Sequence, residues 1–474
     1  MTNVRVSGIS IDTRTLSPGD LFVAIEGPNF DGHAFLDAAV DGGAAALIVR
    51  KDALAGRPAG ESGVPVVAVK DTRKALLDLA SWYRARFSPR VAGITGSNGK
   101  TTTKDLLGTA LSACGKTVYS ERSFNNFIGV PLTLFRIAAA TRYAVLEIGT
   151  NAPHEVRPLT RAARPEIGVV TNISHAHLKG LGSLAGVAKE KADLLRNIEP
   201  GGTALLNRDD SFFETLRDAA LDAGTVGRLV TFGFNREADY FPESLESSKS
   251  EDGKVAPGRG AAGGVSFRVR GTKIALPLLG KHNVYNALAA FACAVELGAD
   301  PERVAAAFGS FRGTPMRLQP KRAGSLLILD DAWNANPGSV AAALGTFADL
   351  PAPGRKIVVL GDMLELGEGA DELHRKAGRE LARGDFALVA VVGSHAAETI
   401  AGAEEAGASP DRLRRFDTTG DVVAAIPALV AEGDSILVKG SRGMELEKVV
   451  KALAAFEVGR EGRSKKNANN GTVS

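Results

Sequence analysis

Short runs of β-branched and apolar residues alternate with longer Ala- and Leu-rich stretches along most of the chain. The short runs have the length of strands, and the longer stretches repeat apolar residues at helical spacing. Because alternating strands and helices build parallel sheets, the pattern predicts an α/β protein with largely parallel sheets. We expect strands at residues 91–94, 143–148, 167–172, 203–207, 326–329, 357–360, 388–392 and 436–438.

The alternation divides into three blocks, as expected for a chain of 474 residues that is too long for a single hydrophobic core. The blocks cover residues 1–87, 88–318 and 319–457. A long helix that ends near Ser88-Pro89 closes the first block. Residues 241–265 are rich in Ser, Gly and charge, which predicts a flexible loop or hairpin insertion, and the polar residues 458–474 predict a disordered tail.

The composition is that of an ordinary soluble globular protein, with 44% apolar residues, 23% charged residues and a net charge of +3. So small a net charge argues against nucleic-acid binding through a basic face. The N-terminus has no signal-peptide core, and no apolar run reaches the length of about 18 residues that a membrane span requires. We therefore expect a cytoplasmic protein without membrane insertion. Cys114 and Cys293 should pack as small apolar residues rather than form a disulfide.

The segment from Gly93 to Thr103 places a glycine-rich turn between a predicted strand and a predicted helix. Such a turn is typical of a loop that binds nucleotide phosphates, because glycines let backbone N–H groups approach phosphate oxygens. Lys100 would hold the β- and γ-phosphates, and the Thr101 hydroxyl would bind Mg²⁺. Ile94 stands where the usual pattern has its first glycine. The loop residues expected at a nucleoside triphosphate are Gly96, Ser97, Asn98, Gly99, Lys100, Thr101 and Thr102.

Polar residues follow other predicted strands, at the sheet edge where open α/β proteins bind ligands. Glu147 could hold Mg²⁺ beside the phosphate loop or form a strand-end salt bridge. His175 and His177 follow the next strand, but no Cys or further His lies at zinc-ligand spacing. Hard-cation chemistry together with Glu147 and Thr101 fits the histidines better. On the next helix, residues 189–193 are most simply interpreted as a solvent-exposed charged face.

Further polar groups lie at a helix start and at strand ends in the third block. His282, Asn283 and Asn286 could reach one ligand, such as an adenine edge, although helix capping explains Asn283 equally well. Residues 330–337 combine polar side chains with an aromatic ring and indicate a base- or substrate-binding loop. Residues 439–442 carry two cations beside Gly-Ser, which suits a carboxylate or a phosphate.

Together these motifs resemble the Mur ligase family of ATP-dependent amide-bond ligases, over roughly residues 5–455. The resemblance implies an N-terminal UDP-substrate domain, a central ATPase domain and a C-terminal Rossmann-like domain. Asn125-Asn126, the Asn-Ala-Asn-Pro loop and residues 361–367 are most similar to members that join D-alanyl-D-alanine to UDP-N-acetylmuramoyl-tripeptide in peptidoglycan precursor synthesis. Such members form an acyl phosphate and release ADP. The motifs that carry the resemblance are Thr95–Thr102, Glu147–Gly149, Ala176-His177, His282–Asn286 and Asp331–Pro337.

The resemblance also implies a role for each matching residue. The catalytic set would be Lys100, Glu147, His177, Lys191 and Arg317. Two Mg²⁺ ions would be bound by Thr101, Glu147, His177 and Lys191, the last at a position that the family often carbamylates. Beyond the phosphate loop, ATP would contact His282, Asn283, Asn286, Arg317, Asp331 and Trp333. The other substrates would contact Asp12, Thr13, Arg14, Asn125, Asn126, Asn334, Asn336 and Lys439.

Two positions depart from the family pattern: Trp333 stands where Tyr is usual, and Thr150 where Ala is common. Neither change removes a catalytic group. The alternatives are a sibling ligase that adds another amino acid to a UDP-muramoyl peptide, a folylpolyglutamate synthetase, and a nucleotide-gated switch that hydrolyses ATP without making a bond. The N-terminal block argues against the folate ligase, which starts directly with the ATPase domain. We expect a monomer.

Overall fold

The computed structural model describes residues 4–27, 30–54, 63–248, 263–352 and 354–455. The tail predicted to be disordered and most of the predicted insertion at 241–265 lie outside these residues. Within them the chain forms several mostly parallel sheets with helices between the strands, so the α/β prediction is confirmed. Each expected strand is present, with ends that differ by at most two residues.

The first block is built on a parallel sheet with the strand order β1-β2-β3-β4. Alternating apolar residues bury both faces of its inner strands, and two helices flank it. The elements are β1 (Ile9–Ser10), β2 (Leu21–Val23), α1 (Leu36–Asp41), β3 (Ala46–Arg50), β4 (Val66–Val69) and α2 (Thr72–Arg84).

The second block contains a six-stranded, wholly parallel sheet with the order β10-β9-β8-β5-β7-β6. Its strands are β5 (Arg90–Thr95), β6 (Thr117–Tyr119), β7 (Tyr143–Glu147), β8 (Ile167–Val170), β9 (Gly202–Asn207) and β10 (Val226–Phe232). Its helices are α3 (Lys100–Cys114), α4 (Gly129–Leu134), α5 (Val156–Ala163), α6 (Leu178–Leu181), α7 (Leu184–Arg196), α8 (Phe213–Leu221), α9 (Lys281–Glu296) and α10 (Pro301–Gly309).

A small antiparallel sheet accompanies this block and shares its main hydrophobic core. It consists of β11 (Ser244–Ser248), β12 (Gly264–Val269) and β13 (Thr272–Leu276). Between β11 and β12 lies the part of the predicted insertion that the structure does not describe.

The third block is a six-stranded sheet with the order β14-β15-β19-β16-β17-β18, in which only β14 is antiparallel to its neighbour. Its strands are β14 (Gln319–Ala323), β15 (Leu326–Asp331), β16 (Lys356–Gly361), β17 (Leu388–Val392), β18 (Leu413–Phe416) and β19 (Ser435–Lys439). Its helices are α11 (Pro337–Asp349), α12 (Ala370–Leu381), α13 (Ala396–Glu405) and α14 (Thr419–Leu429), followed by helical residues 447–455.

Helix α2 belongs to two hydrophobic cores at once. Leu76 packs against the first block's sheet, whereas Leu77 and Ala80 pack into the core beneath the central sheet. The Arg84 Nε donates to the carbonyl of Ala163 at 3.2 Å, which attaches the end of α2 to α5. The helix therefore packs against both the first and the second block.

Both cysteines are free thiols, with Cys293 fully buried and Cys114 partly so, in agreement with the expected packing role. Across the described ranges, no helix combines the length and the apolar character that a membrane crossing needs.

We predict that Leu77→Ala lowers the free energy of unfolding by about 2–5 kcal/mol, because the truncation leaves a cavity between α2 and the central core. Leu221→Ala is the matched control, since that leucine is 56% exposed against 6% for Leu77. We expect the control to change stability by less than about 0.5 kcal/mol. Urea unfolding followed by circular dichroism measures both, and equal effects would contradict the bridging role of α2.

Candidate active site

The glycine-rich loop between β5 and α3 has the conformation that its glycines require. Gly96 and Gly99 have φ angles of +143° and +82°, which side-chain-bearing residues rarely adopt. A Cβ on Gly96 would lie 1.9 Å from Thr171 Oγ1, and one on Gly99 would lie 2.1 Å from Asn286 Oδ1. The loop ends at Lys100, the first residue of α3, so backbone N–H groups at the positive end of a helix dipole face outward.

The residues that follow β8 support this loop from below. The Thr171 Oγ1 donates to the carbonyl of Asn98 at 2.6 Å. The Asn172 side chain accepts from the Asn98 N–H and donates to its carbonyl, both at 3.0 Å. The sequence analysis gave Asn172 no role, although an amide directly after a buried strand was the available signal. The two residues after β8 thus hold the loop in its shape.

A cleft opens over the loop, between the second and third blocks. Across the cleft, the Asn336 Nδ2 donates to Asn98 Oδ1 at 2.7 Å, while Asn336 Oδ1 caps the start of α11. The asparagine loop predicted at residues 330–337 therefore forms the opposite wall. The residues lining the cleft are Ser97, Asn98, Gly99, Lys100, Thr101, Thr102, Arg317, Asn334, Asn336 and Ser339.

Positive charge is concentrated around this cleft. The Lys100 Nζ donates to the carbonyls of Gly96 and Ser97 at 2.6 and 3.1 Å. Burial lowers the pKa of Lys100 to about 8. The negative charge of Glu147 raises this pKa in part, and the positive charge of Arg317 lowers it. Burial also lowers the pKa of Arg317. Cations that are costly to desolvate alone indicate a site for a polyanion, which would restore their charge balance.

Glu147 ends β7 beside the cleft and is 1% exposed. Its Oε1 accepts a hydrogen bond from Asn125 Nδ2 at 2.8 Å, whereas its Oε2 is buried with no hydrogen-bond partner among the described residues. In that part of the chain no cation lies within salt-bridge distance of it, which disfavours the strand-end salt bridge. An unpartnered buried carboxylate oxygen beside a phosphate loop suits a hard divalent cation.

Lys191 is fully buried on α7, and its Nζ likewise has no partner among the described residues. Burial lowers the pKa of Lys191 well below its usual value, and the nearby Lys100 lowers it further. The adjacent Glu190 accepts the backbone N–H groups at the start of α5, with distances of 2.7–2.9 Å. The interpretation of residues 189–193 as an exposed charged face therefore holds for Lys189 but is wrong for Glu190 and Lys191.

At the end of β15 the structure pairs two of the predicted residues. The Lys439 Nζ donates to Asp331 Oδ2 at 2.7 Å and to the carbonyl of Asn334 at 3.0 Å. Burial lowers the pKa of the neighbouring His282 to about 4, so its imidazole is neutral at physiological pH. Two guanidinium groups lie near the Trp333 ring, with Arg317 at 5.8 Å and Arg442 at 5.4 Å from its centroid.

The asparagines of α9 form a chain that reaches the phosphate loop. The Asn283 Nδ2 donates to the carbonyl of Leu279 at 2.8 Å, and its Oδ1 accepts from Asn286 Nδ2 at 3.0 Å. Asn283 does not cap α9, because the residue at the N-cap position is Gly280. The chain fixes Asn286 against Gly99 and so links α9 to the loop.

Several of the predicted residues do not line the cleft. Asp12 and Arg14 pair with each other at 2.6 Å on the first block, and this contact lowers the pKa of Asp12 to about 2, while Thr13 lies between them. Asn126 Oδ1 accepts two backbone N–H groups at the start of α4. The His177 Nδ1 contacts Glu365 Oε2 of the third block at 2.7 Å, and this hydrogen bond lowers the pKa of Glu365.

We predict that Lys191→Met raises the melting temperature at neutral pH. The unfolded chain carries a charged Lys191 below its usual pKa of 10.5, whereas the folded protein keeps the amine neutral to a much lower pH. Folding therefore costs free energy below pH 10.5, and the cost vanishes above it. The advantage of the methionine should accordingly shrink as the pH rises towards 10.5.

Differential scanning fluorimetry at pH 7 and pH 10, in buffer free of carbon dioxide, measures this difference. Lys189→Met is the matched control, because Lys189 is exposed on the same helix. A stabilisation of Lys191→Met that stayed constant with pH would contradict the assignment of a buried neutral amine.

Comparison with known proteins places three family models along the chain. The description "Mur ligase family, catalytic domain" matches residues 5–84, "Mur ligase middle domain" matches residues 94–294, and "Mur ligase, glutamate ligase domain" matches residues 316–442. Together they cover most of the chain and include the phosphate loop, Glu147, Lys191 and the asparagine loop.

Full-length relatives agree with these matches. The chain is 36% identical to the UDP-N-acetylmuramoyl-tripeptide--D-alanyl-D-alanine ligase of Escherichia coli (strain K12), over 95% of this chain and 94% of the relative. It is 34% identical to the ligase of the same name from Bacillus subtilis (strain 168), over 94% and 93%. A crystal structure of MurF from Acinetobacter baumannii superposes with a TM-score of 0.81 at 29% identity, covering 95% of this chain and 94% of that one.

Proposed function

Because this chain belongs to the Mur ligase family and is thus an ATP-dependent ligase, we propose that it joins D-alanyl-D-alanine to UDP-N-acetylmuramoyl-tripeptide, releasing ADP and phosphate. The family resemblance found in the motifs is confirmed. The observation that carries the proposal is the cationic cleft between the phosphate loop and the asparagine loop. Beside it lie two buried atoms that have no hydrogen-bond partner among the described residues, Glu147 Oε2 and Lys191 Nζ. The names of the full-length relatives support this pair of substrates.

We assign the triphosphate of ATP to the cleft. The backbone N–H groups at the start of α3 and the Lys100 ammonium bind the phosphates, and Arg317 offsets charge at the γ-phosphate. Asn283 and Asn286 position the loop from α9, and neutral His282 with Asp331 and Trp333 provides the surroundings of the nucleoside. The asparagine wall excludes water when the two blocks meet.

The donor set beside the cleft suits Mg²⁺. Thr101, Glu147, His177 and Lys191 are the residues that we propose to hold two ions. Burial favours the uncharged form of the Lys191 amine. That form reacts with carbon dioxide to give a carbamate, which would supply an anionic oxygen ligand there. When bound, Mg²⁺ supplies charge neutralisation for the phosphates.

The reaction proceeds in two steps on the substrates. The terminal carboxylate oxygen of the tripeptide attacks the γ-phosphorus, the bond to the β-phosphate oxygen breaks, and ADP leaves. The free amine of D-alanyl-D-alanine then attacks the acyl carbon, loses a proton, and the carbon–oxygen bond to phosphate breaks. Since carboxylate and γ-phosphate repel each other, Lys100 and Arg317 must offset their charge and hold the in-line geometry.

The remaining assignments follow the three blocks. We propose that residues 1–87, 88–318 and 319–457 are the UDP-substrate, ATPase and C-terminal domains, with Asp12, Thr13 and Arg14 at the nucleotide end of the UDP-sugar. Asn334 and Asn336, which line the cleft, are assigned to the peptide substrates, and so are Asn126 and Lys439, which lie outside its lining. Asn125 reaches Glu147, so it positions that carboxylate as well as facing substrate. The enzyme is proposed to be cytoplasmic and monomeric.

Phosphate release from MgATP tests the function when UDP-N-acetylmuramoyl-tripeptide and D-alanyl-D-alanine are omitted in turn and product masses are recorded. We expect release only with both substrates, together with a UDP-pentapeptide mass. Release with another amino acid in place of the dipeptide would favour a sibling ligase. Release that ignores both substrates, with no conjugate formed, would overturn the ligase proposal in favour of a switch ATPase.

We predict that Asn125→Ala raises the Mg²⁺ concentration for half-maximal rate by about 10- to 100-fold, because Glu147 loses the group that orients it. Asn151→Ala is the control, since that exposed side chain lies four residues beyond Glu147 and contacts neither the carboxylate nor the cleft. A Mg²⁺ titration at saturating substrates distinguishes them. Equal constants in both variants would show that Asn125 does not act through Glu147.

A further inference from the structure

The second and third blocks meet through a contact that no substrate role accounts for. Glu365, in the loop after β16, directs its Oε2 at His177 Nδ1 with a separation of 2.7 Å. The backbone N–H of Lys179 donates to the carbonyl of the same glutamate at 3.1 Å. One residue of the third block thus contacts both the side chain and the backbone of the segment that begins α6. We call this three-residue contact the Glu365 clasp.

We propose that Glu365 is a positioning residue that couples closure of the third block onto the second to the orientation of the His177 imidazole. A carboxylate at Nδ1 stabilises the tautomer that carries its proton there, which leaves the lone pair on Nε2. His177 is then oriented for a ligand only while the blocks are together. When they separate, the imidazole loses its partner.

The backbone around the clasp is held in an unusual conformation on both sides. His177 has a φ of +55° and Glu365 a φ of +64°, in the left-handed region that residues with a Cβ seldom occupy. Such conformations persist where the surrounding contacts determine them. Here both strained residues are the two that contact each other across the block boundary.

The loop that carries Glu365 is tied to the third block's own site residues. The Leu364 N–H donates to Ser441 Oγ at 2.9 Å, and Ser441 follows β19, whose last residue is Lys439. The Met363 N–H donates to His374 Nε2 at 3.0 Å. The position of Glu365 is therefore coupled to the positions of Lys439 and Asp331. Its contact with His177 forms when those residues are in place.

The strength of the contact suits a reversible device. The Glu365 side chain is 55% exposed and that of His177 is 20% exposed, so solvent screens their attraction. Exposed pairs of this kind change an equilibrium by about 1.4- to 5-fold. A contact of that size biases closure without preventing the opening that product release needs.

The role of closure in catalysis rests on the proposed function, but the clasp can be measured without turnover. Spin labels at Leu221→Cys and Asp385→Cys, in a Cys114→Ser background, place one probe on each block at highly exposed positions. Cys293 is fully buried and stays unlabelled. Double electron–electron resonance then gives the interblock distance distribution, with and without Mg²⁺ and a non-hydrolysable ATP analogue.

We expect Glu365→Ala to shift the ratio of separated to closed molecules about 1.4- to 5-fold towards separation. Glu365→Gln should retain most of the closed population, because an amide oxygen still accepts from Nδ1–H. In a His177→Ala background Glu365→Ala should produce less than half of that shift. Glu372→Ala is the control, since this exposed glutamate pairs with Arg379 inside the third block and should leave the distances unchanged.

An unchanged distance distribution in Glu365→Ala would overturn the proposal. So would a shift of the same size with and without His177, because the glutamate would then act through another group. If the ligase assay failed but Glu365→Ala still changed the interblock distances as expected, only the proposed function would be contradicted. In an active enzyme, Glu365→Ala should lower kcat and Glu365→Gln should restore most of it, because the amide oxygen still accepts from Nδ1–H.

Discussion

Positive charge in buried and half-buried positions at the carboxyl edge of the central sheet is the constraint on which the rest of the site depends. Lys100, Lys191 and Arg317 all have pKa values lowered by burial, and Lys439 in the third block has the same property. Against them stand few carboxylates, chiefly Glu147 and Asp331. Such a site is costly when it contains protein alone, and it is stabilised by anions. The cations are nevertheless brought together, because the carboxyl ends of the parallel strands and the N-termini of the following helices of both blocks meet there.

The central elements were predictable because they obey local rules. Buried strands such as β7 and β17 are short apolar runs with turn residues at their ends. The phosphate loop has backbone conformations with positive φ, which favour the glycines found there. The boundaries shifted by a residue or two because polar strand-end residues, such as Asp330 and Asp331, still pair in the ladder. Pairing with the neighbouring strand sets where those strands end, and the local pattern of apolar residues does not show it.

Contacts between distant segments could not be read from the sequence. Nothing in the charged run at residues 189–193 shows that Lys191 faces inward while Lys189 faces solvent, since both lie on one helix and differ only in which face packs on α5 and β8. The same holds for Asn172, whose amide brackets Asn98, and for Glu365, whose partner is 188 residues away. Roles that depend on a partner in another block require the fold before they can be assigned.

The position of α2 in two cores has a consequence for biosynthesis. In a nascent chain that has emerged only as far as the first block, the face of α2 with Leu77 and Ala80 has nothing to cover it. That apolar face stays exposed until the strands and helices of the second block have been translated, which invites chaperone binding or aggregation during this interval. The first 87 residues expressed alone would present the same uncovered surface permanently.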